Sequence, residues 1–378
     1  MILRGITWEH PRGFGSVHGA SPFYKSIAPD ISIEWEFRSL QAFADRSIEE
    51  LSQDFDLLII DHPHIPMAAE EEIFAPFTDP KFVEALNTLK EQSVGKSFES
   101  YMHNQKVWAL PVDAAAQVSA SRISELVNHP INWDQVRDLA KENRVAWPLK
   151  PIDAFSSFIT IATNLGHPPM EEKGVFLKRE SILTVLDFMH DIIQYIPKSN
   201  FEMNPIEVAE LLSSDSHWVY SPLLFGYTNY SRAGFRKNLL RYRDIPAGVG
   251  GISGSLLGGA GIAVSSKSNS IVQAQEFSVW LASAEIQRTL YFDAGGQPGN
   301  SKAWEDPRLN SLTEDFFTGT RKTLEEAYLR PRDKRFISVQ DEISINMTKC
   351  LTGEINDLLF AESANEICER LMGENHGI

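Results

Sequence analysis

The residue order reads as an α/β protein in two lobes, each a sheet flanked by helices, with the chain crossing between them at hinge segments. Three features carry this reading. The chain has 378 residues, more than one core comfortably organises, because single cores stop growing near about 250–300 residues. Short, continuously apolar runs alternate with helical stretches over the first hundred residues, the order that builds a largely parallel sheet covered on both faces. That order is then interrupted twice, by a proline-broken strand at Pro111 and by a glycine-rich segment from Gly248 to Gly261.

The elements follow in order. Met1 to Thr7 enters a first core strand, and Ile31 to Phe37 alternates with period two, as a half-buried strand does. Gln41 to Gln53 has helical spacing, with Phe43, Ile48 and Leu51 facing inward. Asp56 to Asp61 is apolar between two acids, the pattern of a strand buried on both faces. Phe82 to Glu91 is a helix. Lys106 to Asp113 is a short strand whose proline cannot donate to a central ladder, so it belongs at an edge or a crossing. Helices follow at Trp133–Glu142, Ile152–Leu165, Ser181–Ile193 and Pro205–Ser213. His217 to Tyr220 reads as a strand ending in Ser221-Pro222, and Arg232 to Leu240 as a basic surface helix. Ala260 to Val264 is a strand, Ser270 to Leu290 a strong helix, and 311–328 and 340–372 supply more helix.

Composition excludes several classes. Lys and Arg total 35 against 51 Asp and Glu, a formal net charge of -16. Such a surface repels phosphate backbones, and the densest basic cluster (Arg236, Lys237, Arg241, Arg243) is too small to reverse that, so no nucleic-acid partner is expected. No run approaches the ~18 apolar residues of a membrane span. As written, the N-terminus lacks the basic region, apolar segment and cleavage site of a signal peptide, although a mature form would read the same way. Cys350 and Cys368 read as two lone buried thiols, with a single disulfide left open.

Chemistry-bearing motifs are sparse. The glycine-rich segment has no Lys followed by Ser or Thr and no acidic residue at the dinucleotide offset, so it is a tight entry into a strand rather than a phosphate cradle. There is no elbow around a nucleophilic serine and no HExxH helix, and the chain is not expected to be an enzyme. His10, His62 and His64 with Asp61 could be drawn as a zinc shell. Pro11 and Pro63 beside them account for a stiff rim without an ion, and the expectation is a site with neither metal nor cofactor.

Several segments together carry a family resemblance. They are Val107-Trp108-Ala109-Leu110-Pro111-Val112-Asp113, the Leu257 to Lys267 stretch, the helix holding Glu276-Phe277 and Glu285-Ile286-Gln287, and the turn Gly295-Gly296-Gln297-Pro298-Gly299. In order and spacing over nearly the full length the chain resembles family 1 of the extracellular solute-binding proteins, the maltose-binding-like class that serves ABC importers. The resemblance implies a periplasmic-binding-protein-like fold, one lobe from residues 1–111 and about 257–316, the other from 112–256 and about 317–378. It also implies hinge closure on one small polar solute, a monomer, docking on importer membrane subunits, and a periplasmic or extracellular address. The missing signal leaves a cytoplasmic sensor open.

In such a fold the ligand meets the C-terminal ends of the strands. The candidate binding residues are therefore Trp8, His10 and Arg12 after the first strand, Arg38 after the second, Asp61 and His62 after the third, and Asp113 at the crossing. The second lobe offers Trp218, Tyr220, Tyr227, Asn229 and Tyr230, and Trp304 follows the glycine-proline turn. Aromatic faces with Asp and Asn suit an uncharged sugar. Arg12 and Arg38 suit a carboxylate instead, because the guanidinium fork matches one bidentately.

Overall fold

The computed structural model describes residues 1–39, 47–126 and 128–373. Along the chain the first strands are β1 (Ile2–Trp8), β2 (Ser32–Arg38), β3 (Leu57–Asp61), β4 (Met102–His103), β5 (Lys106–Val107), β6 (Ala109–Pro111) and β7 (Ala115–Arg122). Four more follow: β8 (Tyr220–Phe225), β9 (Leu240–Arg243), β10 (Leu257–Gly258) and β11 (Ala260–Val264). The chain divides into two compact units. One holds Met1–Ala115, Gly258–Ser311 and Arg332–Lys334, and the other holds Ala116–Leu257, Leu312–Pro331 and the chain from Arg335 on.

The first unit is built on a five-stranded sheet in the order β2-β1-β3-β11-β6. β1 runs parallel to β2 and β3, and β11 runs antiparallel to β3 and β6. Successive side chains of a strand point to opposite faces. Leu57 and Ile59 accordingly enter one apolar core while Leu58 and Ile60 enter another. β11 splits in the same way, with Ile262 and Val264 on one side and Ala263 on the other. Each such Leu or Ile removed from water contributes roughly 1.5–3 kcal/mol, so the continuous apolar run is what commits β3 to the centre. The helical stretch around Gln41–Gln53 is described only from Ser47 on, where Ile48–Asp54 is helical with Ile48 and Leu51 buried. Residues 41–46, Phe43 among them, lie outside the described residues.

Two expected elements in this unit divide. Lys106 to Asp113 is not one strand. Asn104 and Gln105 take positive φ of 47° and 62°, the backbone of a tight two-residue hairpin turn, and β5 pairs with β4 while β6 pairs with β11. Pro111 ends β6 at the sheet edge, where its missing N–H costs no ladder bond. The Ser270–Leu290 helix stops at Ala282, because Ser283 is extended (φ −63°, ψ 149°). Buried Gln287 answers the break: its amide donates to the Leu281 carbonyl at 2.9 Å and its oxygen accepts from Gly299 N at 2.7 Å.

In the second unit β7 is buried along all eight residues and pairs with β8, β9 and β10. The helix Pro151–Asn164 is buried almost all round, as a helix in the middle of a core must be. It packs with Arg179–Ile193 and the C-terminal pair Phe336–Leu351 and Asp357–Met372 around Phe158, Phe176, Met189, Ile343, Met347 and Phe360. Cys350 and Cys368 are both buried. The expected strand at His217–Tyr220 starts later, as β8. The Arg122 guanidinium takes the Leu212, Ser216 and Trp218 carbonyls at 2.8–3.0 Å and holds that segment out of the ladder. Pro222 is accommodated because β8 lies at the sheet edge. Arg232 to Leu240 is not a helix either. Gly234 takes φ +84° in a turn, and the chain enters β9, whose Leu240 and Tyr242 alternate inward. Among the described residues no helix is long and apolar enough to cross a membrane.

Candidate functional site

At one end of the first unit's sheet the strand termini converge. The registers place Trp8 opposite Arg38, Asp61 opposite Ala260, and Pro111 opposite Gly261. Glu9 N donates to the Arg38 carbonyl at 2.7 Å, which fixes the end of β1. The chain then turns through a short helical segment at Pro11–Gly15, capped by His10, whose Nδ1 accepts from Arg12 N at 3.0 Å. Gly13 lies flat on the Trp8 indole; a Cβ there would sit 2.5 Å from the ring. The turn lays Gly13 over one part of a half-buried Trp8 and leaves its Nε1 buried with no hydrogen-bond partner.

Arg12 is buried and points into the fold. Its Nε donates to Asp113 Oδ2 at 2.7 Å and its Nη2 donates to Asp113 Oδ1, a bidentate pair with Asp113 fully buried. The backbone of Asp113 is tied in both directions to Ala260, at 3.0 and 3.1 Å. Gly259 reaches that position with φ +99°, and a Cβ on it would lie 2.5 Å from the Asp113 carbonyl oxygen. Burial pushes the Asp113 carboxyl up and the paired guanidinium pulls it down, so each charge depends on the other. This corrects the expectation that Arg12 offers its fork to an anionic solute: the fork is already filled by Asp113.

The remaining expected residues of this unit separate by burial. Asp61 is exposed at the end of β3, Arg38 and His64 are half-buried, and His62 is buried edge-on against Tyr101. Tyr101 donates towards the carbonyls of Ile60 and Gly259 at 3.3 and 3.2 Å, bracing β3 against the entry to β11. Trp304 is not at this edge. It is a core residue, 1% exposed, with Nε1 donating to the Pro298 carbonyl at 2.8 Å. Among the described residues, the His, Cys, Asp and Glu side chains close enough to share an ion do not include His10, Asp61, His62 or His64.

The second unit does not gather its five expected residues. β8 pairs Tyr220 with Ser121 and Phe225 with Gln117, so Trp218 and Tyr220 lie at one end of the strand and Tyr227, Asn229 and Tyr230 beyond the other. Tyr220 and Tyr230 are fully buried, and the Tyr230 hydroxyl donates to Glu210 Oε1 at 2.7 Å. Asn229 is buried as well, while Trp218 and Tyr227 keep partial exposure. Both tyrosines are core although neither sits on a central strand: Tyr220 begins the edge strand β8 and packs in the unit's main apolar cluster, and Tyr230 lies in a short helical turn beyond it.

Residues 28–317 match the model of the bacterial extracellular solute-binding protein family. The chain belongs to that family. Among solved structures, this solute-binding protein is similar to the maltose-bound MalE3 of T. maritima, at 16% identity over 98% of this chain and 100% of that one, with a TM-score of 0.85. It is also similar to an ABC transporter solute-binding protein of Agrobacterium radiobacter K84 in complex with ribitol, at 16% identity over 98% and 99% of the two chains and a TM-score of 0.81. The GacH receptor of Streptomyces glaucescens matches at 13% identity over 99% and 98%, TM-score 0.81. No curated protein matches the sequence. These likenesses show the two-lobed α/β fold, and the family is one of binding proteins rather than enzymes.

Two features of the solute-binding protein escape the sequence reading. Asp153 is 5% exposed in the first turn of the Pro151–Asn164 helix, and burial, opposed by Lys150, pushes its carboxyl up to about 7. In sequence it is an ordinary acid matched to a helix N-terminus. Behind it a buried polar network joins Gln117, Ser157, Thr160 and Trp147: Gln117 Nε2 and Trp147 Nε1 both reach Ser157 Oγ, at 3.2 and 3.0 Å, and Thr160 Oγ1 donates to Gln117 Oε1 at 2.6 Å. The paired prolines Pro148 and Pro151 around Lys150 are the one local signal that a shaped helix entry lies there.

Proposed function

We propose that this solute-binding protein takes one small, uncharged, polyhydroxylated solute, a carbohydrate or polyol, and as a monomer delivers it to the membrane subunits of an ABC importer on the outer, periplasmic side. In this reading the two compact units are the two lobes. Trp8 and Asp61 are the first unit's contacts to the solute, with Arg12 and Asp113 holding the turn that presents them. The observation that carries the choice of solute is the Arg12–Asp113 pair. With that guanidinium spent internally, the edge presents part of the Trp8 indole and the exposed Asp61 carboxylate, which suit a hydroxylated ring face. The fold neighbours support it, being described with maltose, ribitol and acarbose.

The test is a thermal-shift and calorimetric screen of maltodextrins, monosaccharides and polyols beside dicarboxylates. A solute bound only by the native state raises the melting temperature with its concentration. A neutral sugar or polyol hit that Trp8→Ala weakens by about tenfold or more, with the fold intact by circular dichroism, supports the reading. Hits confined to carboxylates would overturn it.

A further inference from the structure

Three helices of the second unit, none of which carries a proposed solute contact, bring together donors of three different kinds. His190 lies in the last turn of Arg179–Ile193, Cys350 in the last turn of Phe336–Leu351, and Asp357 in the first turn of Asp357–Met372. His190 Nε2 is 3.1 Å from Asp357 Oδ1, and the Cys350 thiol donates to the same oxygen at 3.2 Å. One ligand atom of each lies within 4.8 Å of the others, and among the described residues this is the one group of His, Cys, Asp and Glu so placed.

Imidazole nitrogen, thiolate sulfur and carboxylate oxygen are the donors zinc accepts, at about 2.0–2.3 Å. A tetrahedron with those bonds separates its donors by roughly 3.3–3.8 Å, so the two contacts through Asp357 need open by only a few tenths of an ångström. A sulfur and an imidazole in the set disfavour calcium and magnesium, which take oxygen ligands. Burial divides the site. Cys350 is 1% exposed, whereas the side chains of His190 and Asp357 are 35% and 36% exposed. The sulfur side is closed by the core and the opposite side reaches water, which leaves room for a fourth ligand from solvent. The scaffold is stiff: Asn356 caps the last helix, accepting from Leu359 N at 2.9 Å, and Gly353 (φ +83°) turns the chain between the two helices.

We propose that His190, Cys350 and Asp357 form a site for a thiophilic divalent transition-metal ion of the zinc type, with water as fourth ligand. Coordination forms one metal–sulfur bond, releases the Cys350 thiol proton to solvent and transfers no electron. A bound ion ties the C-terminal helix to its two neighbours. The site is independent of the proposed solute contacts.

The full-length chain, stripped with chelator and dialysed, is titrated with Co²⁺ and followed by absorbance. The expected result is one equivalent bound, with a thiolate-to-cobalt charge-transfer band in the near ultraviolet that Zn²⁺ then bleaches. Cys350→Ser should abolish the band, His190→Gln should weaken Co²⁺ binding by about tenfold or more, and Cys368→Ser should change neither. His190 is partly exposed, so its variant keeps the test valid where Cys350→Ser fails to fold. Folded wild type with no band, or a band unchanged by His190→Gln, would overturn the proposal.

Discussion

Arg12 and Asp113 show how little a side chain's chemical type says about its use. Both belong to the set of residues following strand ends, yet each is the other's partner, buried together with two hydrogen bonds between them. Removing one leaves the other as an uncompensated buried charge, which costs roughly 3–5 kcal/mol, whereas replacing both by apolar groups of similar volume costs far less. Urea unfolding should therefore show Arg12→Ala destabilised by that amount and Arg12→Met/Asp113→Leu much closer to wild type. Two other buried groups give stability opposite slopes with pH. His129, held between Ser119 Oγ and Ser121 Oγ at 2.6 and 2.9 Å, is pushed down to about 3 from 6.5 by burial and then by Arg243 and Arg241. The unfolded chain takes its proton first, so this contribution is complete above pH 6.5 and is lost as pH falls towards 3. Asp153, raised from 3.8 to about 7, behaves in reverse: the native state holds the proton first, and stability falls as pH rises from 3.8 to 7. Asp153→Asn removes that slope, so its gain in melting temperature over wild type should be larger at pH 8 than at pH 5, with ~4 kcal/mol as the ceiling. Equal gains at both pH values would contradict the assignment.

Elements with a strong period or a full apolar run are legible in the chain, and those held by side-chain bonds from elsewhere are not. β3 and β11 stand out because every residue between their ends is apolar. The helix Pro205–Ser213 is equally plain, with Pro205 at its first position and a reciprocal cap between Asn204 and Glu207. Asn204→Ala should cost about 1 kcal/mol, read as a drop in denaturation midpoint. The strand misplaced at His217–Tyr220 shows the other case, since Arg122, almost a hundred residues away, takes the carbonyls that a ladder would have used. Gly259 stands between these cases. A glycine before a core strand is visible in sequence, but its φ of +99° and its approach to the Asp113 carbonyl are not. Gly259→Ala should lower the melting temperature clearly, whereas Gly250→Ala, which a Cβ brings no closer than 3.3 Å to the Ser253 hydroxyl, should leave it near wild type.

At the scale of the whole molecule, the second unit depends on the chain's last stretch. Phe336, Val339, Ile343, Met347, Phe360 and Ile367 fill the same core as Trp147, Phe158 and Leu186. A chain ending at Pro331 should lose the near-ultraviolet circular dichroism of the buried Trp147; retention of a native-like spectrum would show that the C-terminal helices are dispensable. The α/β class, the central strands and most helices followed from residue order, because hydrophobic period and proline or glycine placement act over a few neighbours. The resemblance to solute-binding proteins likewise rested on order and spacing. Which polar residues face solvent and which pair with one another was decided only on folding. Arg12 and Asp113 are 101 positions apart, His190 and Asp357 are 167 apart, and Tyr230 and Trp304 became core through contacts that no local pattern encodes. Burial and charge pairing are properties of three-dimensional neighbours, and the tertiary structure alone supplies those.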